Sequence, residues 1–167
     1  FKGFQQGAAP LRRSHVGAQG WNVLAGELTL PLAVIRRDAL AHNVGWMQSY
    51  ADGAGVRFAP HGKTTLSPQL LRRQLDAGAW GLTFATVTQL HAGLAAGARH
   101  FLIANEVLDA ADLGAIAALV DARPDVRVVF LLDSLAQLAL IEAVSVERPF
   151  EVLLELGVAG GRTGVRT

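Results

Sequence analysis

The chain contains no cysteine. That excludes disulfides and thiolate metal sites, and it fits a reducing compartment. No apolar run reaches the ~20 residues that a membrane span requires. The opening, FKGFQQGAAPLRRSHVGAQG, lacks an apolar stretch followed by a small-residue cleavage site. The expectation is a cytoplasmic protein with no membrane partner. Charge of one sign is also scarce: the formal net charge is +1, and the pairs Arg12–Arg13, Arg36–Arg37 and Arg72–Arg73 are scattered. Phosphate binding needs a concentrated basic surface, so nucleic acid is not expected as a partner. The five histidines form no HxH or HxxxH pair, and no metal site is read from them.

What is present is a chain of 167 residues, 51% hydrophobic, enough for one globular domain with a core. Residues 1–29 are irregular and show no period. From Leu30 the text becomes regular. LPLAVI reads as a strand entered through Pro31, and Asp38 can cap a helix that ends near Gly53. The pattern then repeats. VRFAPH is a strand, and Ser67 with Pro68 opens a helix. WGLTFAT, HFLIAN, VRVVFLLDS and FEVLLELGV are further strands, separated by helical stretches. Short, continuously apolar strands alternating with ~10–15-residue helices predict parallel βα units. Two closures are open, a doubly wound sheet or a (β/α)8 barrel. The absence of GxGxxG after the first repeat strand weakens the dinucleotide-binding version. Five units are too few to close a barrel, so a barrel reading makes residues 30–167 part of one.

Right-handed crossovers bring the C-terminal ends of parallel strands to one edge, where sites form in either architecture. The residues there are His61, Lys63, Thr64 and Thr65, then Thr86 and Thr88. Asn105 and Glu106 follow, then Asp133 and Ser134, then Glu155, and last Arg162 and Thr163 in a glycine-rich segment. Lys63 is the most informative. An ammonium near an apolar strand is costly to desolvate, which lowers its pKa and frees the amine to attack an aldehyde. A lysine that simply snorkels to solvent is the plainer alternative. GVAGGRTG lacks the spacing and the lysine of a Walker loop. Its glycines permit a sharp turn, which leaves Arg162 either held towards the mouth or solvated.

FAPHGKTTLSPQLLRRQLDAGAWGLTFATVTQL resembles the lysine segment of the D-serine dehydratase and D-threonine aldolase group. These are fold type III pyridoxal phosphate enzymes with an alanine racemase-like barrel. LPLAVIRRDALAHNVGWM resembles the group's entry strand and first helix, FLIANEV its third-strand segment, and LELGVAGGRTGV its arginine segment. The wording APHGKTT is most similar to bacterial D-serine deaminase-like proteins. The resemblance covers about Leu30 to Val165.

The resemblance implies the N-terminal part of an alanine racemase-like (β/α)8 barrel, with pyridoxal 5'-phosphate held by Lys63 as a Schiff base. Lys63 would also move the α-proton, and Arg162 would sit near the cofactor's phenolic oxygen. His61, Thr86 and Asn105 would line the cofactor pocket. The implied activity is a deaminase or lyase acting on a D-serine-like or D-threonine-like amino acid. A racemase of the same fold and a non-catalytic cofactor-carrying homeostasis protein are the alternatives. The resemblance also implies later strands that bind the phosphate, a C-terminal β domain, and a homodimer when full length. A divalent metal could be held only in that C-terminal domain. None of those parts is in these residues, so the chain is expected to be a piece of a longer protein.

Overall fold

The structure is a computed structural model and describes residues 10–166. Its contacts divide the chain into two compact units that meet between Leu40 and Ala41. The first unit, expected to begin irregularly, carries 3-10 helices at Arg13–Gln19 and Val23–Ala25. Asn22 caps the second of these by accepting a hydrogen bond from Leu24 N–H. The strand expected at LPLAVI does not form: Val34 and Ile35 are exposed, and residues 32–36 have no regular structure. A strand exists only where a neighbour completes its ladder, and apolar composition does not supply that neighbour.

Helix α1 (Arg37–Gly53) follows. Asp38 lies in its first turn rather than at its cap, paired with Arg36 at 2.6 Å. The Arg36 guanidinium, first, and the helix amides hold the Asp38 carboxyl below the usual carboxylate range. The second unit continues with α2 (Pro68–Asp76), β1 (Leu82–Phe84), α3 (Leu90–Ala96), β2 (His100–Glu106), α4 (Ala110–Ala122), β3 (Arg127–Leu132), α5 (Leu135–Glu142) and β4 (Glu151–Leu154). The sheet is parallel throughout, in the order β1-β2-β3-β4. Pairing therefore follows sequence order, which fits an opening barrel and not the doubly wound alternative. No helix among the described residues is long and apolar enough to cross a membrane.

The first expected strand of the repeat, VRFAPH, is reduced to one bridge between His61 and Thr83, parallel to β1. The reason lies in its register. Trp80 N–H donates to Phe58 O at 2.8 Å, and Thr83 N–H to Pro60 O at 2.9 Å. Carbonyls two residues apart thus meet amides three residues apart, so one residue is left over as in a bulge. Pro60, moreover, has no N–H to give. Four strands and a bridged segment still give five parallel positions in sequence order.

The core lies where the helices cover one face of the sheet. Leu82, Phe84, Phe101, Ile103, Val128 and Phe130 alternate along the strands towards Leu71 of α2, Leu90 of α3, Leu113 and Ile116 of α4, and Ile141 of α5. Each buried phenylalanine stabilises the unit by about 1.5–3 kcal/mol. The helix starts are local: Ser67 caps α2, Asp109 caps α4 and Ser134 caps α5 through their side-chain oxygens. At the N-terminal end of the sheet, His100 is the first residue of β2. Its ring stacks on Trp80 at 4.6 Å.

Candidate functional site

The C-terminal ends of β1 to β4 and of the bridged segment lie at one edge. The loop carrying Lys63 is fixed there by its neighbour Gly62. Gly62 is buried, donates to Thr83 O at 2.8 Å, and accepts from Leu66 N–H at 3.1 Å. A Cβ at this position would stand 2.6 Å from Phe84 and 2.8 Å from Leu71, so only glycine lets the turn press against the core. Leu66, φ 45°, then turns the chain into the Ser67 cap.

Lys63 leaves this turn into solvent. The apolar surroundings expected for its ammonium are not built by the described residues. It is nevertheless the single lysine among residues 10–166, hence the one side-chain primary amine there. His61, next to it, has its pKa lowered, first by partial burial and then by the Lys63 charge, while a hydrogen bond with the Thr83 backbone acts the other way. A second positive charge beside Lys63 is thereby disfavoured.

Arg162 is held by its fork. Its Nη1 donates to Asn105 Oδ1 at 2.7 Å and its Nη2 to Ala104 O at 3.1 Å. The loop behind it folds on β4: Gly157 N–H donates to Val165 O at 2.9 Å and Val165 N–H to Glu155 O at 2.8 Å. Thr163 Oγ1 donates to Glu155 Oε1 at 2.8 Å, and Gly164 N–H to Asp133 Oδ2 at 3.0 Å. Gly157 and Gly164 cross so closely that a Cβ on Gly157 would lie 2.6 Å from Thr163 O.

Of the residues expected at the site, Arg162 and Asn105 are therefore in direct contact, and His61 and Lys63 interact electrostatically. Thr86 is exposed at the start of the 3-10 turn Val87–Gln89, and its side chain makes no capping bond. Two strand spacings, about 10 Å, separate the His61 bridge from β2. His42 and His91 are exposed on α1 and α3. Among the described residues no group of three or more His, Cys, Asp or Glu is placed to hold a metal ion.

Two glutamines were missed. Gln89 Oε1 accepts Ala85 N–H at 2.9 Å, and Gln137 Oε1 accepts Asp133 N–H at 3.1 Å. Each closes the strand end four residues before it. The signal was present as a repeated spelling, ATVTQL at 85–90 and DSLAQL at 133–138.

The donor set fits a cofactor carrying an aldehyde and an anionic ring oxygen: an accessible amine for the first, a fixed guanidinium for the second. Comparison with known proteins identifies the family. The family described as alanine racemase, N-terminal domain, is matched over residues 35–167. D-threo-3-hydroxyaspartate dehydratase of Delftia sp. (strain HT23) is 34% identical over 140 residues, which span 83% of this chain and 36% of that protein. D-threonine aldolase of Arthrobacter sp. is 30% identical over 125 residues, 74% of this chain and 32% of that one. The crystal structure of D-threonine aldolase from Filomicrobium marinum superposes with TM-score 0.72 at 27% identity, covering 83% of this chain and 37% of that one. The chain thus spans about a third of the length of these relatives.

Proposed function

Because the chain belongs to the alanine racemase N-terminal domain family, we propose that it is the cofactor-holding part of a pyridoxal phosphate-dependent lyase acting on a D-3-hydroxy amino acid. The observation that carries this is Lys63, the single side-chain amine of residues 10–166, exposed at the strand-end edge on a turn pinned by Gly62. The names of the relatives supply the substrate class, since each acts on a D-amino acid with a hydroxyl on Cβ.

Lys63 Nζ would hold the aldehyde of pyridoxal phosphate and would take the proton from the substrate's Cα. The bound cofactor supplies the electron sink for that carbon. Arg162 would place a permanent positive charge at the phenolic oxygen, with its plane set by Asn105 and Ala104. His61, Thr86 and Asn105 would line the pocket, and a neutral His61 spares Lys63 a neighbouring cation. Loss of the β-hydroxyl, giving a keto acid and ammonium, is the favoured outcome. It covers both the dehydratase relative and a D-serine deaminase.

The test is product analysis with the full-length protein, loaded with cofactor and given D-serine, D-threonine and D-3-hydroxyaspartate. Keto acid and ammonium support the proposal. Glycine and an aldehyde would make it an aldolase, and inversion at Cα alone a racemase. Bound cofactor with no turnover of any of them would make it a non-catalytic carrier.

A further inference from the structure

Arg162 sits on an exposed, glycine-rich loop beyond the edge strand of the sheet. A long side chain there must lose rotamer entropy before its fork points one way. The hydrogen bonds around it form two arms that reach it from different strands. The first starts at Gln89, whose Oε1 fixes the Ala85 amide after β1. Ala85 O accepts Asn105 Nδ2 at 3.5 Å, and Asn105 Oδ1 accepts Arg162 Nη1. The second starts at Gln137, only 1% exposed, whose Nε2 donates to Leu131 O at 2.7 Å while its Oε1 takes the Asp133 amide. Asp133 Oδ2 then holds Gly164 N–H, two residues after Arg162.

We infer that Asn105 and Asp133 are positioning residues for Arg162, one fixing its guanidinium and the other its backbone, each seated by the glutamine of a repeated strand-end turn. The residue types suit this. Asn105 must accept from a cation and donate to a carbonyl at once, which an amide does and a carboxylate does not. Asp133 must accept from a backbone N–H while its own amide is occupied, and its charge strengthens that bond. A buried glutamine with both ends satisfied is costly to disturb, so the β3 turn keeps one shape.

The effect on turnover rests on the role proposed above for Arg162; the effect on its mobility does not. The experiment therefore has two arms, both on the full-length protein. In the first, the Nη resonances of Arg162 are followed by NMR without cofactor and identified by their loss in Arg162→Lys. A held guanidinium shows separate Nη signals, and a freely rotating one shows averaged signals. Asn105→Ala and Asp133→Ala should each move them towards averaging, and Asp133→Asn, which keeps an acceptor oxygen, should restore them. In the second, each alanine variant should lower kcat about tenfold to a hundredfold, the range of a small misplacement, with KM little changed. Combined with Arg162→Lys, neither should add a further loss, because both act through the same side chain. Unchanged Nη signals in both alanine variants, or losses that multiply with Arg162→Lys, would overturn the inference. If cofactor binding itself fails in the unaltered protein, the proposed function falls while the NMR arm still decides the positioning.

Discussion

The Lys63 turn and the Arg162 loop are fixed in opposite ways. At Lys63 the backbone is held, through buried Gly62 against Phe84 and Leu71, and the side chain is left in solvent. At Arg162 the side chain is held, by Asn105 and Ala104, on a loop that lies mostly exposed. The difference matches the two tasks proposed for them. An amine that must bond to an aldehyde and then move a proton needs freedom at its tip and a fixed root. A guanidinium that only orients charge needs a fixed tip, and its root can be held by a few hydrogen bonds.

Breaking each side of this contrast has a graded effect. Lys63→Ala should abolish cofactor retention and turnover in the full-length protein while leaving the melting temperature of the cofactor-free form unchanged, since an exposed side chain supports no packing. Cofactor absorption that survives the change would remove Lys63 from the account. Arg162→Lys keeps the charge and loses the fork. Turnover should fall roughly a hundredfold, on the order of 2–4 kcal/mol, while cofactor is retained. Unchanged turnover would make Arg162 an ordinary loop residue. Gly62→Ala tests the root of the lysine turn. The added methyl has no room between Phe84 and Leu71, and overpacking of this kind costs about 1–3 kcal/mol, readable as a lower melting temperature. Wild-type stability in this variant would mean that the turn yields easily.

The smallest effect belongs to His61. Its folded pKa lies below the ordinary imidazole value of about 6.5, chiefly through burial and then through Lys63. The unfolded chain therefore binds more protons in the window just below that value. The stability contribution is full above about 6.5 and is lost as pH falls through the window to the lowered folded value. His61→Asn should flatten the pH dependence of stability there, and an identical profile in both proteins would show that the imidazole does not titrate differently on folding.

The same contrast marks what could be read from the sequence. The parallel order, the helix start at Ser67, and the placement of Lys63, Asn105 and Arg162 beyond the strand ends were legible. Alternation, caps and turn residues are local signals. Strands at 30–35 and 56–61 were read where none or a single bridge exists. Those depend on a partner's register, which a one-dimensional text does not carry. The Arg162–Asn105 bond joins residues 57 positions apart, so neither residue's surroundings in sequence announce the other. Gln89 and Gln137 carry no individual signal, and the structure gives them the same task at two strand ends. Only their repeated spelling could have revealed it.

The proposed function stands on Lys63 as the residue that holds the cofactor. It is tested most directly by reducing the cofactor-loaded full-length protein with borohydride and mapping the modified peptide. One phosphopyridoxyl group per chain is expected, on Lys63 in the peptide containing FAPHGKTT. Modification of a different lysine, with Lys63 unlabelled, would contradict it.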